Sequence, residues 1–287
     1  MKIISVVGAR PNFMKVAPFI GAINRYNQDA EKNKHERIIH ILVHTGQHYD
    51  DRMSKKFFDD LNIPEADINL GIGSGTHAEQ VGNSMIALEK VFETEKPEWI
   101  VIYGDVNATL AASVAAKKLH IKVCHVEAGL RSGDIRMPEE VNRLVTDRLS
   151  DLLLTPDRIS VENLKKEGVA DSAIRFVGNI MIDTLESNRH KAEALDLKQI
   201  VSSNLISSNS GVLINENNFA VMTLHRPSNV DNEVVLSSLV NFVVAEVAEV
   251  LSVIWAVHPR TEKQLKQFKL WDKLIQTPNI FMVNPLG

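Results

Sequence analysis

Cysteine is almost missing from this chain: Cys124 is the single one. One thiol excludes an intrachain disulfide and any cysteine-based zinc cluster, and a reducing, cytoplasmic setting is the simplest expectation. Nor is there an excess of either charge. Lys and Arg total 32 against 36 Asp and Glu, a net charge of -4. A weakly acidic surface removes the electrostatic case for nucleic acid or an anionic membrane as partner, although a local basic patch still suits an anion of nucleotide size. No secretory leader is expected, since Met1-Lys2 runs straight into Ile3-Ile4-Ser5-Val6-Val7 without a long apolar stretch or small-residue cleavage site. The longest apolar stretch, residues 234–257, carries Asn241, Glu246 and Glu249 near its middle. Mid-span carboxylates make bilayer insertion costly, so a buried helix running into a buried strand is expected instead. His-Glu-x-x-His and Gly-x-Ser-x-Gly spacings, a Walker loop and a dinucleotide fingerprint are also missing. No motif asks for a metal, which leaves only a non-contiguous site built from Asp105, Glu127 and the histidines as an alternative.

What the chain does have is 44% apolar side chains over 287 residues, enough for two domains. Short β-rich runs fall at residues 3–7, 38–44, 99–103, 122–126, 151–154 and 174–177, then at 219–224, 252–257 and 279–283. They are continuous rather than alternating, as strands covered on both faces are. Helical patterns such as 109–119, 139–149 and 158–167 lie between them, and Thr76 with Glu79 and Thr261 with Gln264 have capping-box spacing. Strand-helix-strand repetition predicts a doubly wound α/β sheet, with an eight-stranded α/β barrel as the competing architecture. A boundary is expected after Gly178-Asn179, giving domains at 1–180 and 181–287. The Ser- and Asn-rich stretch 202–218 precedes a second α/β series from Phe219.

Ligands of open α/β sheets bind beyond the carboxyl ends of strands, so the residues after each strand are the candidates. After the first come Gly8-Ala9-Arg10-Pro11 and, a little further, Lys15. A turn glycine and two cations beside a helix start suit a phosphate, although a tight turn with two solvated cations fits as well. His48, in Thr45-Gly46-Gln47-His48, is a ligand-binding candidate or a plain surface histidine. Asp105 directly precedes a helix, where a capping carboxylate is a sufficient explanation. Glu127 closes a buried strand in His125-Val126-Glu127-Ala128-Gly129-Leu130-Arg131 and needs a partner or a job; Arg131 is one such partner. Pro138-Glu139-Glu140-Val141-Asn142-Arg143 opens a helix with proline first, and Glu139 can pair with Arg143 a turn on. If Glu139 instead turns into one cleft with Asp105 and Glu127, three crowded carboxylates raise at least one pKa and yield an acid and a base. In the second series, His225-Arg226 and His258-Pro259-Arg260 follow two strands. Facing Arg10 and Lys15 across a cleft, they imply an anionic ligand between the domains. Gly71-Ile72-Gly73-Ser74-Gly75 follows no convincing strand and reads as a flexible connection.

Taken in order, and with Gly178-Asn179, Asp183 and Leu224-His225-Arg226, these stretches resemble the UDP-N-acetylglucosamine 2-epimerase family over essentially the whole chain. The resemblance implies an α/β fold of two Rossmann-like domains of the glycosyltransferase-B kind, a UDP-sugar in the cleft, no cofactor and no metal, and a homodimer. It implies interconversion of UDP-N-acetylglucosamine and UDP-N-acetylmannosamine by elimination of UDP to a 2-acetamidoglucal and re-addition on the other face. On the matching positions Asp105, Glu127 and Glu139 take acid/base roles, and His225 holds and protonates the departing phosphate. Arg10 and Lys15 sit in the diphosphate or substrate region, with His48, Arg131, Arg143, Arg226 and His258 as further substrate-binding residues. Residues 47–54 differ from the Gln-His-Arg-Glu-Met form of substrate-activated members, so that activation is not expected. Members of the family continue past the end of this chain with a Ser-Gly-Gly segment and a helix returning to the first domain. The implied second domain is therefore incomplete and turnover impaired. A hydrolysing relative, an epimerase of a uronate or diacetamido UDP-sugar, a glycosyltransferase and a binding fragment without turnover are the competing readings.

Overall fold

The computed structural model describes residues 1–46, 65–206 and 214–286, which form two units, Met1–His190 and Lys191–Gly287. The first unit carries β1 (Lys2–Val7), β2 (Ile39–His44), β3 (Ile68–Asn69), β4 (Trp99–Tyr103), β5 (Lys122–Val126), β6 (Leu152–Thr155) and β7 (Ile174–Phe176). They run in the spatial order β3-β2-β1-β4-β5-β6-β7, and every neighbouring pair is parallel. The sheet is open, with β3 and β7 at its edges, so it is doubly wound and the barrel is excluded.

Successive side chains of a strand point to opposite faces, and here both faces are covered. Ile4, Val6, Ile100 and Ile102 pack with Leu88 and Phe92 of the helix His77–Glu95 and with Ala111, Ala112, Ala115 and Ala116 of the helix Asn107–Lys118. Ile3, Val7, Val101 and Tyr103 pack on the other face with Phe13, Val16 and Ile20 of the helix Arg10–Asn33. Each fully buried Ile or Leu side chain contributes about 1.5–3 kcal/mol. This two-sided burial is why the strands are continuously apolar in sequence.

Local chemistry sets the helix boundaries. Thr76 and Glu79 form the expected capping box, with Glu79 N–H donating to Thr76 Oγ1 at 3.3 Å and Thr76 N–H to Glu79 Oε2 at 2.9 Å. Thr261 does not cap. The helix Pro259–Gln267 starts three residues earlier than a Thr261 cap would place it, with the His258 ring accepting from Arg260 N–H at 3.1 Å. Pro259 suits the first helical position, and buried Thr261 donates its hydroxyl to the Leu224 carbonyl. Pro18 lies inside the long first helix and has no N–H for the Met14 carbonyl. The Thr184 hydroxyl donates there instead at 2.5 Å, tying the helix Ile180–Glu193 to the first unit.

The second unit holds β8 (Phe219–Met222), β9 (Ser252–Ala256) and β10 (Ile280–Val283), all parallel, in the order β10-β9-β8. Residues 234–257 are the expected helix running into a strand: Glu233–Phe242, a π-helical turn Val243–Val247, then β9. Among the described residues no helix is long and apolar enough to cross a membrane.

Candidate active site

Strand order reverses between β1 and β4, the point at which loops of a doubly wound sheet separate and leave room for a ligand. Asn12 braces this point. Its Oδ1 accepts from Gly8 and Ala9 N–H at 3.0 and 3.2 Å, and its Nδ2 donates to the Tyr103 carbonyl at 2.8 Å, joining the loop after β1 to the end of β4. One turn along the same helix, Lys15 is almost fully buried and forms an ion pair with Glu127.

Asp105 and Glu127 follow the adjacent strands β4 and β5, whose last residues Tyr103 and Val126 are in register. Each strand leaves the sheet through a left-handed residue: Gly104 at φ 64° and Glu127 itself at φ 74°. For a glutamate that conformation costs about 1–3 kcal/mol. Two hydrogen bonds of Glu127 and Ala128 N–H to the Leu154 carbonyl, at 3.0 and 3.1 Å, help to hold it. The Glu127 carboxylate lies beside Gly104: a Cβ there would stand 3.2 Å from Glu127 Oε2 and 2.8 Å from Lys15 Nζ. Asp105 is not a cap, because the helix Asn107–Lys118 begins from Val106. Its carboxylate receives Arg143 at 2.5 Å, and its carbonyl accepts from Asn142 Nδ2 at 2.8 Å. Glu139 is on the first turn of the helix Pro138–Leu149 that supplies Arg143 and Asn142. It is half-buried and has no hydrogen-bond or ion-pair partner among the described residues.

Two expected pairings are corrected. Glu127 pairs with Lys15, not Arg131; the Arg131 guanidinium is held by Asp147 at 2.8 Å and by both carboxylate oxygens of Glu167 at 2.7 Å. Arg143 pairs with Glu140 three residues back, at 2.9 Å, rather than with Glu139. The helix turns Glu140 inward, where Ser132 and Gly133 N–H also reach it at 3.0 Å. The picture of three mutually crowded carboxylates changes too, since Asp105 and Glu127 each face a cation. Gly71-Ile72-Gly73 is not a loose connection. It follows β3, and Ile72 and Gly73 N–H donate to the Thr45 and Gly46 carbonyls at 2.8 and 3.2 Å.

The sequence reading missed Asn12, Glu140, His125 and Asp147. Glu140 and Arg143 were legible as an i,i+3 pair; a buried asparagine gives no such signal. Burial alone would raise the Glu140 carboxyl, but the Ser132 and Gly133 N–H groups and Arg143 overcome it and lower the pKa to about 2. A depressed folded-state pKa means stability that is complete above the unfolded value of about 4.5 and lost as pH falls towards 2. Glu140→Gln is therefore expected to lower the urea midpoint most at neutral pH. Its deficit relative to the parent should shrink between pH 4.5 and 2; a deficit independent of pH contradicts the assignment. Cys124 faces the core, and burial pushes its thiol up to about 12, which removes it as a nucleophile.

In the second unit His225 and His258 follow β8 and β9 and are exposed, their ring centroids 5.6 Å apart. Arg226 is exposed beside them, whereas Arg260 is engaged by Asp231. His48 lies outside the described residues, as does the side chain of Arg10, which begins the first helix. Among the described residues no group of three or more His, Cys, Asp or Glu is arranged to hold a metal ion.

The model of the family "UDP-N-acetylglucosamine 2-epimerase" matches residues 30–287. The UDP-N-acetylglucosamine 2-epimerase of Methanocaldococcus jannaschii is 40% identical over 289 residues, covering 100% of this chain and 74% of that protein. The crystal structure of the M. jannaschii enzyme in complex with UDP-GlcNAc and UDP superimposes with a TM-score of 0.78 at 39% identity, covering 100% of this chain and 74% of that one. That of the Neisseria meningitidis enzyme bound to UDP-GlcNAc gives 0.79 at 28% identity, over 100% and 73%. The glycosyltransferase-B fold class expected from the resemblance is thus borne out. With a family match over most of the chain and a relative at 40% identity along all of it, the chain belongs to the UDP-N-acetylglucosamine 2-epimerase family and is an epimerase.

Proposed function

We propose that this chain interconverts UDP-N-acetylglucosamine and UDP-N-acetylmannosamine without hydrolysis, acting as a homodimer and without metal or redox cofactor. The observation that carries the reading is the pair of carboxylates on adjacent strand ends, each beside a cation: Asp105 with Arg143 and Glu127 with Lys15. Glu139 stands on the helix that supplies Arg143.

The C2 proton of the sugar is barely acidic, so it leaves only as C1 gains positive charge. As the C1–O bond breaks, UDP departs with its electron pair. The C2–H pair becomes the C1=C2 double bond of the 2-acetamidoglucal, and the proton passes to a carboxylate. Re-addition of UDP at C1 with protonation of C2 on the opposite face completes the inversion. Fixed carboxylates stabilise the cationic C1 and accept the proton; Asp105, Glu127 and Glu139 share these roles. Lys15 and Arg10 sit in the diphosphate or substrate region, with Lys15 paired to Glu127, and Arg143 orients Asp105. In the second unit exposed His225, with Arg226 and His258, holds the phosphate, and His225 protonates it as it departs. His48 joins the substrate-binding set; Arg131, engaged by Asp147 and Glu167, supports the loop after β5.

Incubation with UDP-N-acetylglucosamine in heavy water is expected to give UDP-N-acetylmannosamine with deuterium at C2 of both epimers. Release of free N-acetylmannosamine and UDP alone would replace the non-hydrolysing scheme by a hydrolysing one.

A further inference from the structure

Beneath the loops that carry Asp105 and Glu127 lies a buried carboxylate with no role in the reaction just described. Asp147, on the helix Pro138–Leu149, is 2% exposed. Its Oδ1 accepts from His125 Nδ1 at 2.6 Å, and its Oδ2 accepts from Gly129 N–H at 3.0 Å and from Arg131 at 2.8 Å. The His125 ring is 1% exposed, and its Nε2 donates to the Gly104 carbonyl at 2.8 Å. Both ring nitrogens stand within hydrogen-bond distance of oxygens, one on the helix and one on the loop after β4. Contacts run through the cluster from His125 to Asp147, from Asp147 to Arg131 and from Arg131 to Glu167. Burial opposes ionisation of Asp147, but His125 and Arg131 outweigh it and hold the carboxyl below the usual range.

Resting on the epimerase reading, we propose that Asp147 is a positioning residue that fixes both catalytic loops at once, the Asp105 loop through His125 and the Glu127 loop through Gly129 N–H. Gly104 immediately precedes Asp105, and Gly129 lies two residues after Glu127. Residues 104, 127 and 129 all have positive φ, at 64°, 74° and 84°. Glycine adopts this conformation freely at 104 and 129, whereas at Glu127 it persists only when its surroundings over-determine it. One carboxylate that reaches both turns from below supplies that constraint, and it leaves the strand ends facing the substrate unobstructed.

Asp147→Asn keeps the shape but offers one acceptor where two are needed. In the full chain it is expected to lower kcat about tenfold or more with KM changed less than about threefold, since misplacing catalytic groups costs rate before affinity. Amide hydrogen exchange should rise in 103–108 and 126–131 and stay at the parent level in β1 and β2. His125→Asn, whose amide can still donate to Asp147 but cannot reach Gly104, should loosen 103–108 alone; it serves where the first variant folds poorly. The double variant should be no slower than Asp147→Asn by more than about twofold. Unchanged exchange in both loops, or exchange raised throughout the unit with kcat and KM altered together, overturns the proposal. Should the parent chain fail to epimerise, the activity reading falls, and the exchange pattern alone decides the positioning role.

Discussion

Glu127→Gln is expected to lower kcat for UDP-N-acetylglucosamine by about two to four orders of magnitude, the range typical for losing an acid/base group. The substitution keeps the side chain's size and its oxygen towards Lys15, so the loss reports charge and proton transfer. Lys15 is 7% exposed, and removing the charge opposite a buried ammonium destabilises by about 3–5 kcal/mol in the fully buried limit. Rate and stability therefore fall together in the single variant. Lys15→Met combined with Glu127→Gln separates them, because it removes both charges: melting temperature should recover towards the parent while kcat stays low. Asp105→Asn, facing Arg143, is expected to behave in the same way. A Glu127→Gln enzyme within about tenfold of the parent would show that this carboxylate does not act in the chemistry.

The strands of this fold were legible because they are apolar on both faces. The runs 99–103 and 122–126 are β4 and β5 residue for residue, and the others agree to within a few positions. β3 was not legible: with two residues, Ile68–Asn69, it has too little pattern to stand out from a loop. The carboxylates were legible by their place after strands, since a charged residue closing a buried run must be neutralised. Their partners were not. Which cation reaches Glu127 depends on the left-handed turn at Glu127 and on Lys15 lying one turn after Asn12, and neither fact is written in local spacing. Arg131 was the sequence-near choice, four residues from Glu127, whereas Lys15 lies 112 residues away. His125 and Asp147 were hidden for a related reason. One reads as part of a strand and the other as part of a helix, and only the packing of that helix against β5 brings them to 2.6 Å.

Two glycines of the site should respond oppositely to the same substitution. Gly129 has φ 84°, and a Cβ there would stand 2.5 Å from the Ser160 carbonyl oxygen and 2.9 Å from its carbon. Those are backbone atoms of the helix Arg158–Lys166 and cannot step aside. The left-handed alanine costs about 1–2 kcal/mol, and the displaced turn also strains the Gly129 N–H bond to Asp147, so Gly129→Ala is expected to cost about 3 kcal/mol or more. Gly104 has φ 64°, and its nearest neighbour is Lys15 Nζ at 2.8 Å, the far end of a flexible side chain. Gly104→Ala should lose the conformational term, about 1–2 kcal/mol, and whatever stability the Lys15–Glu127 pair gives up as it stretches, which is less than a clash with fixed backbone costs. The new methyl nevertheless pushes the ammonium away from Glu127, and kcat should fall about tenfold or more while the protein stays folded. Urea midpoints and kcat measured on both variants test the contrast. If Gly129→Ala is as stable as Gly104→Ala, the close approach between the turn after Glu127 and the following helix does not hold the site. If Gly104→Ala keeps full activity, the Lys15–Glu127 pair tolerates displacement and Lys15 does not set the geometry of the reacting carboxylate.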